Sequence, residues 1–304
     1  MLENLENGNL AQRFLLDDLD IRGALVQLDS VWQALLSGRN YPLPVQQLLG
    51  EMCASTLLIA CQLKQNGRLS IQLRGNGAVK LLLLDCNAQL HIRGMAQCAE
   101  PVLPGSAAQL LGDGQLVLNL ETESMRQPYQ SLVPLASGDG ASIADIFEHY
   151  LAQSEQQASR LILACSPERV AGIFLQKMPG ADQRDADGWA RVNALLATLT
   201  NDELLHLSPP ALLTRLFHEE AVRLFEAKKI EHHEQEDWQK VRAMLRLLGR
   251  DEVYSILQEQ GEVLIEDEID RRQYRFDAAA IDAIFNVPNV TQDPAQPSSP
   301  STLH

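Results

Sequence analysis

The sequence contains few side chains whose type and spacing match a catalytic site. His218-Glu219-Glu220 begins like a zinc protease motif, in which a second histidine four residues after the first completes the metal site. Position 222 is valine, so that second ligand is missing. The triplet therefore predicts a histidine on the surface of a helix, beside two solvated acids.

Motifs for phosphate binding and for nucleophilic catalysis are also absent. The chain has no G-x-x-x-x-G-K-S/T loop and no G-x-S-x-G elbow. Gly75-Asn76-Gly77 lacks a third glycine at the Rossmann spacing and lies between two β-like runs. It predicts a turn, where a positive φ is easily reached. We therefore expect no ATP hydrolysis or acyl transfer, and a protein that is not an enzyme.

The five cysteines are scattered, with no C-x-C or C-x-x-C pair among them. They are Cys53, Cys61, Cys86, Cys98 and Cys165. An odd number of cysteines in a reducing compartment argues against a disulfide framework. We expect buried, inert thiols, because free cysteine packs like a small hydrophobic residue.

The overall charge excludes several classes of partner. Forty acidic residues against twenty-five Lys and Arg give a net charge of −15 over 304 residues. The electrostatic field of this negative charge repels phosphate backbones and anionic lipids, so we expect neither nucleic acid nor membrane as a partner. No apolar run approaches the ~20 residues of a membrane span. The first residues show no basic leader or apolar signal core, which predicts a cytoplasmic protein.

The hydrophobic pattern predicts an α+β fold with mainly antiparallel sheets. Residues 11–64 show helical spacing, with a break at Tyr41-Pro42. Short alternating runs with turn residues between them then predict strands up to about residue 178, interrupted by a helix from Ile143 that Ser142 caps. Helix, then hairpin strands, then helix is typical of the α+β class.

The composition changes after Met178-Pro179-Gly180. Residues 181–230 are predicted to be helical, with a second helix starting at Ser208-Pro209-Pro210. Residues 231–286 form a compact acidic segment, and the Pro-, Ser- and Thr-rich residues 287–304 predict a disordered tail. The apolar faces of the helices consist of Trp189, Leu195, Leu196, Leu199, Leu212, Leu213, Leu216 and Phe217.

A set of short segments in a fixed order carries a family resemblance. They are Arg22-Gly23 with Leu25-Val26, Tyr41-Pro42 with Pro44-Val45, Leu48-Leu49-Gly50-Glu51, Gln72-Leu73-Arg74-Gly75-Asn76-Gly77, Ile92-Arg93-Gly94-Met95-Ala96, Leu111-Gly112-Asp113-Gly114, Tyr129-Gln130, Tyr150-Leu151-Ala152-Gln153-Ser154-Glu155-Gln156, Ala171-Gly172, Leu175-Gln176-Lys177-Met178-Pro179 and Leu216 to Glu220. Together they resemble the heat shock protein 33 family, the bacterial redox-regulated holdase chaperones of thirty-three kilodaltons. The resemblance covers residues 11–285.

The resemblance implies an α+β chaperone core over residues 1–180, a helical linker over 181–230 and a small α+β redox domain over 231–286. In the family the redox domain holds zinc through four cysteines, spaced C-x-C and C-x-x-C. Oxidation expels the zinc, the domain and the linker unfold, and the exposed apolar surface binds unfolding clients. Dimerisation commonly accompanies activation, so unfolded client proteins and a homodimer are the implied partners.

This chain departs from the family at the zinc ligands. An ungapped alignment places Glu234 and Glu236 at the C-x-C positions, and Asp267 and Asp270 at the C-x-x-C positions. Zinc held by thiolates is therefore not expected as a cofactor here, and the activation switch should not depend on cysteine and zinc.

Three interpretations of the four acids stay open. They remain solvated while the domain folds by its apolar contacts, or they repel one another and loosen the domain permanently. In the third, they bind a weakly held divalent cation such as Mg²⁺, Ca²⁺ or Zn²⁺, with help from His232 or His233. Residues 251–270 contain eight acids and no Lys or Arg, so repulsion there is substantial.

The sequence thus predicts an ATP-independent holdase that keeps unfolding proteins from aggregating. The helices of residues 181–230 are the expected mask over its apolar surface. The alternative is a metal-binding or partner-docking regulatory protein that reuses the same fold.

Overall fold

A computed structural model describes residues 8–63, 66–125, 127–135, 138, 140–233, 238–267, 269 and 272–286. The chain divides into two compact units, Met1–Glu234 and Gln235–His304. The predicted tail at 287–304 lies outside the described residues. The predicted three-part division into a core, a helical linker and a small acidic C-terminal domain stays a prediction.

The first unit alternates strands and helices along the chain. Its elements are β1 Leu10–Leu16, β2 Ile21–Leu28, α1 Ser30–Leu36, α2 Leu43–Ala60, β3 Gly67–Gly75, β4 Val79–Asn87, β5 His91–Cys98, α3 Ala107–Leu111, β6 Gly114–Thr122, β7 Tyr129–Pro134, α4 Ile143–Glu155, β8 Ser159–Cys165, β9 Val170–Lys177, α5 Ala181–Arg184, α6 Gly188–Leu196, α7 Asn201–His206, α8 Pro209–Leu216, β10 Val222–Leu224, β11 Lys228–Lys229 and β12 Glu231–His232. The predicted cap of α4 is confirmed, since Ser142 and Asp145 form a capping box.

Two sheets form the framework of this unit. The first sheet has the strand order β10-β1-β2-β9-β8, with β11 also paired to β1, and the second has the order β12-β5-β4-β3-β6-β7. Every pair is antiparallel except β12 with β5. The α+β class with mainly antiparallel sheets is therefore confirmed.

Helix α2 lies between the two sheets. It contacts β9 on one side and β4 on the other, and twelve of its eighteen residues are buried. The helix closely approaches the first sheet at Gly172, where an added Cβ would lie 3.1 Å from the Ala54 Cβ. By length and composition α2 could cross a membrane, but 67% of it is buried in the protein, which is typical of the central helix of a soluble core.

The helical prediction for residues 11–64 is wrong in its first part, where β1 and β2 form. Along β2, Ala24 and Val26 pack toward α2, while Ile21 and Leu25 pack into a separate cluster on the other face of the sheet. Because both faces are buried, the strand is apolar almost throughout and loses the alternation that marks a half-buried strand. A continuous apolar run of this kind also fits a buried helix.

The turn predicted at Gly75-Asn76-Gly77 joins β3 to β4, but its glycines serve a different purpose from the one expected. Neither glycine has a positive φ. Instead, a Cβ on Gly75 would lie 2.1 Å from the Leu111 carbonyl oxygen, and one on Gly77 would lie 2.3 Å from that of Leu110. Glycine is required because the turn packs directly on the end of α3.

The second unit is a small α+β fold with its own core. It comprises α9 Trp238–Leu248, α10 Arg250–Gln260, β13 Val263–Glu266, β14 Gln273–Phe276 and α11 Ala278–Asn286. Strands β13 and β14 form an antiparallel pair. The buried core residues are Val241, Leu245, Val253, Val263, Tyr274, Phe276, Ile281 and Ile284.

Candidate functional site

The outer face of the first sheet, opposite α2, is covered by α6, α7 and α8. The sheet contributes buried side chains from four strands, among them Phe14, Leu25 and Ile173. The predicted apolar faces of the helices meet them there: Leu196, Leu212, Leu213, Leu216 and Phe217 are buried in this cluster, and Trp189, Leu195 and Leu199 pack against it partly buried. The structure therefore brings together every helical residue that the sequence singled out.

Polar contacts also fasten these helices to the sheet. The side-chain amide of Gln27, on β2, donates hydrogen bonds to the carbonyl oxygens of Leu204, at 3.0 Å, and Leu207, at 2.8 Å. Arg169 donates to the Leu205 carbonyl oxygen at 3.3 Å. All three acceptors lie in or just after α7, where carbonyls lack partners within the helix. The helical segment is thus attached by directional bonds as well as by apolar contact.

A further tie joins the start of the segment to its end, and sequence reasoning missed it. Arg191, on α6, donates from Nε to Glu220 at 2.8 Å and from Nη2 to Asp185 at 2.8 Å. The hydrogen bond from Arg191 lowers the pKa of Asp185, and a second from the Asp187 backbone N–H adds to the effect. The Glu220 side chain is only 10% exposed. No local pattern marks this contact, because its partners are 29 residues apart in the chain.

The prediction for His218-Glu219-Glu220 is therefore wrong in two respects. Helix α8 ends at Leu216, so the triplet lies in the turn that follows it. His218 and Glu219 are exposed, as expected, but Glu220 is the acid that Arg191 binds. The triplet belongs to the attachment of the helical segment to the unit.

Residues 222–232 run along the edges of both sheets and will be called the strap. Its first part, β10 and β11, pairs with β1 of the first sheet, and its last part, β12, pairs with β5 of the second sheet. Helix was predicted up to residue 230, so the strap corrects that prediction over β10 and β11. At the end of the strap, Glu231 accepts hydrogen bonds from Lys229, which lower its pKa, and lies 3.4 Å from His91 Nε2.

The four acids at the positions of the family's zinc ligands are only partly described. Glu234, Glu236 and Asp270 lie outside the described residues. Asp267 Oδ1 accepts a hydrogen bond from the Ile269 backbone N–H at 2.8 Å, so this carboxylate closes a local turn. In the described part of the chain, no group of three or more His, Cys, Asp or Glu side chains could hold a metal ion. His232 lies in β12, and His233 follows it.

The donor set does not fit the zinc site that the family resemblance implies. All the cysteines lie in the first unit, so the second unit offers no thiolate to a metal. Carboxylates prefer harder cations and hold zinc less tightly than thiolates do.

The thiols of the first unit have raised pKa values. Burial raises the pKa of Cys61 and of Cys165 to about 12, and raises the pKa of Cys53 and Cys86 as well. The pKa of Cys98 is also raised, first by burial and then by Glu100. Since the thiolate is the reactive form, little of it exists at neutral pH. The prediction of buried thiols is confirmed for Cys53, Cys61 and Cys86, whereas Cys98 and Cys165 are only half-buried. That the thiols are inert stays a prediction.

Known proteins are similar to this chain in both fold and sequence. The model of the Hsp33 protein family matches residues 9–277. A 33 kDa chaperonin of Methylobacillus flagellatus is 38% identical over 275 residues, which cover 90% of this chain and 93% of that protein. A 33 kDa chaperonin of Chromobacterium violaceum is 38% identical over 285 residues, covering 93% and 96% respectively.

A solved structure shows the same fold at lower sequence identity. The 33 kDa chaperonin of Thermotoga maritima, a heat shock protein 33 homolog, superposes with a TM-score of 0.77 and 19% identity, and covers 91% of this chain and 98% of that one. Fold and relatives together define a protein of the chaperone class. The chain belongs to the Hsp33 family, as its sequence segments indicated.

Proposed function

We propose that this protein is an ATP-independent holdase, and that its client-binding surface is the outer face of the first sheet. The observation that carries the proposal is the shared apolar cluster between that face and helices α6 to α8. A holdase needs apolar surface that is hidden at rest and exposed under stress. Here such a surface lies under a separable run of short helices.

The proposed trigger is loss of structure in the strap and the helical segment under heat, without a cysteine–zinc switch. The strap ends where the first unit ends, so the chain of the second unit continues directly from it. Unfolding that spreads from this point would remove the strap from both sheet edges and then release α8 and α6. Such an order-to-disorder transition is a common form of switch.

Of the three interpretations of the acidic positions, the core of the second unit favours the first. Among the described residues of this unit, eight that are buried form an apolar cluster, and Trp238 packs edge-on against Tyr274 with ring centroids 5.0 Å apart. Contacts of this kind stabilise a small unit without metal. In this proposal the acids stay solvated, and no cofactor is required.

The proposed partners are unfolded or aggregation-prone proteins, with a homodimer as the assembly that the family resemblance implies. The net charge of −15 would keep a loaded complex in solution and disfavours nucleic acid and anionic membranes as partners. The proposed location is the cytoplasm, and we propose no catalytic activity.

Light scattering from a heat-denaturing client protein tests the proposal. The full chain is purified in reductant and assayed at ordinary and heat-shock temperatures, with and without peroxide, and with and without EDTA. We expect suppression of scattering that rises with temperature and is unaffected by peroxide or EDTA. Suppression only after peroxide would contradict the absence of a thiol switch. Loss of suppression in EDTA, together with stoichiometric metal in the purified protein, would favour the metal-binding alternative.

A lack of suppression under every condition would overturn the chaperone function itself. A purified chain that instead binds one specific folded protein would support a partner-docking role.

A further inference from the structure

A cleft on the first unit lies apart from the covered face of the first sheet. It opens between the first half of α2, the segment of residues 102–107 and the start of α4, and its volume is about 660 Å³. Sites for small ligands and single side chains are usually roughly 300–1,000 Å³. Leu48, Val102 and Pro104 contribute apolar walls.

One carboxylate, that of Glu51, lines the cleft. Among the described residues that line it, Glu51 is the sole charged side chain. Gln47 donates a hydrogen bond from Nε2 to Glu51 Oε1 at 3.0 Å. Burial raises the pKa of Glu51, and the Gln47 hydrogen bond offsets this in part. Among the described residues, no Lys, Arg or His contributes to the shift in the Glu51 pKa. A partly buried carboxylate without a counter-ion favours a ligand that brings a positive charge.

The rim of the cleft extends its apolar character outward. Leu43, which lines the cleft, is 68% exposed, and Leu103, between the lining residues Val102 and Pro104, is 73% exposed. Exposed leucines beside a pocket provide contact area for the residues on either side of an inserted side chain. The geometry therefore suits a polypeptide segment better than a small isolated ion.

The position of Gln47 favours the ammonium group of lysine over the guanidinium group of arginine. Because the Gln47 amide already occupies one acceptor position of Oε1, a guanidinium fork would have to share that oxygen with Gln47. An ammonium needs one oxygen and approaches as a point charge, and its four-carbon stem can lie along the leucine and proline walls.

We infer that this cleft binds a lysine side chain within an apolar segment of a client polypeptide, with Glu51 as the partner of the ammonium group. The inference rests on the proposed function for the origin of the segment. It adds a second contact with clients, outside the covered sheet face, and selects segments that combine apolar residues with lysine.

Peptide binding to the full chain tests the inference. The probe is a blocked apolar nonapeptide with a central lysine, and its matched forms have acetyl-lysine or arginine at that position. We expect the lysine peptide to bind at least about tenfold more tightly than the acetyl-lysine peptide, and more tightly than the arginine peptide. Glu51→Gln should abolish the preference for lysine over acetyl-lysine. Glu121→Gln, which removes an equal charge from an exposed position on β6, should retain it.

Leu43→Ser supplies a second variant at an exposed position, where folding is not at risk. It should weaken the binding of all three peptides by a similar factor, because it removes only apolar contact. The inference is overturned if Glu51→Gln keeps the lysine preference, or if wild type shows none. It is also overturned if n-butylammonium alone binds as tightly as the lysine peptide, since the occupant would then be a small amine.

The scattering assay, run on the same samples, separates the two proposals. Wild type that suppresses aggregation without any lysine preference leaves the holdase function standing and removes the role of the cleft. Wild type that fails to suppress aggregation removes the holdase function, whatever the peptides do.

Discussion

The rings of Phe14 and Phe217 pack against each other, with centroids 6.3 Å apart and planes inclined by 34°. Phe14 is on β1, Phe217 follows α8, and both are fully buried. Phe14 also covers Gly23 on the neighbouring strand, where an added Cβ would lie 2.1 Å from the ring. This pair connects the end of the helical segment to the middle of the sheet it covers.

Phe217→Ala should loosen that connection. Truncation of a buried phenylalanine costs about 3–5 kcal/mol of unfolding free energy. We expect a drop of that size in urea unfolding, and suppression of client scattering at a temperature where wild type is inactive.

Tyr129→Ala is the control, because Tyr129 is 47% exposed, lies on β7 of the second sheet and is outside both the cluster and the strap. It should change stability by less than about 1 kcal/mol and leave the activity threshold where it is. Destabilisation by Phe217→Ala without any gain of activity would contradict the covered face as the client site.

Arg191→Met should lower the temperature at which the helical segment detaches. The variant removes two ion pairs and leaves the nearly buried Glu220 without its partner. We expect a lower free energy of unfolding, because the shielded Glu220 carboxylate loses its partner. The measurement is the activity threshold in the scattering assay, recorded at low and high salt.

Arg215→Met breaks the pair between Arg215 and Glu203 and serves as the control. That pair joins α8 to α7 within the helical segment, so its loss should shift the threshold less. Equal shifts of the activity threshold for both variants would show that the ion pair of Arg191 with Glu220 has no special part in attaching the helical segment.

Thiol labelling should be slow in the native protein. Because burial raises the pKa of Cys61 and Cys165 to about 12, their thiolates are scarce at neutral pH. We expect a chromogenic disulfide reagent to label Cys98 first, and the others only in urea, as followed by mass spectrometry. Rapid native labelling of Cys61 or Cys165 would contradict an inert set of thiols and reopen a redox switch.

Glu51→Gln should make the protein more stable at neutral pH than at acidic pH, relative to wild type. Burial raises the folded-state pKa of Glu51, so protonation stabilises the folded state. That contribution is complete below the ordinary pKa of a glutamate and is lost as pH rises through the raised value. Glutamine avoids this loss because it carries no charge.

Urea unfolding measured from below the ordinary glutamate pKa of 4.5 up to neutral pH tests the effect. The difference between Glu51→Gln and wild type should grow more favourable to the variant as pH rises. Glu121→Gln, which removes an equal charge at an exposed position, is measured alongside as the matched control. A variant that loses stability toward neutral pH would show that the Glu51 carboxylate has a stabilising partner in the folded protein.

Local sequence signals predicted much of the fold. Ser142 marks the start of α4, and proline begins α8 after Ser208, because capping and the fixed φ of proline act within a few residues. The strands from β3 to β9 follow short apolar or alternating runs bounded by turn residues, which are equally local signals. In β2 this signal failed, since both faces of the strand are buried and the alternation is lost.

The sequence by itself determined the family, the acidic surface and the absence of cysteine from the second unit, because residue identity and order suffice for each. Tertiary structure alone decided that Arg191 binds Glu220, that residues 222–232 run along both sheets and that Glu51 faces an apolar cleft. The physical reason is that these features depend on which distant residues share a low-dielectric environment. The spacing of residues along the chain does not show which distant residues come into contact.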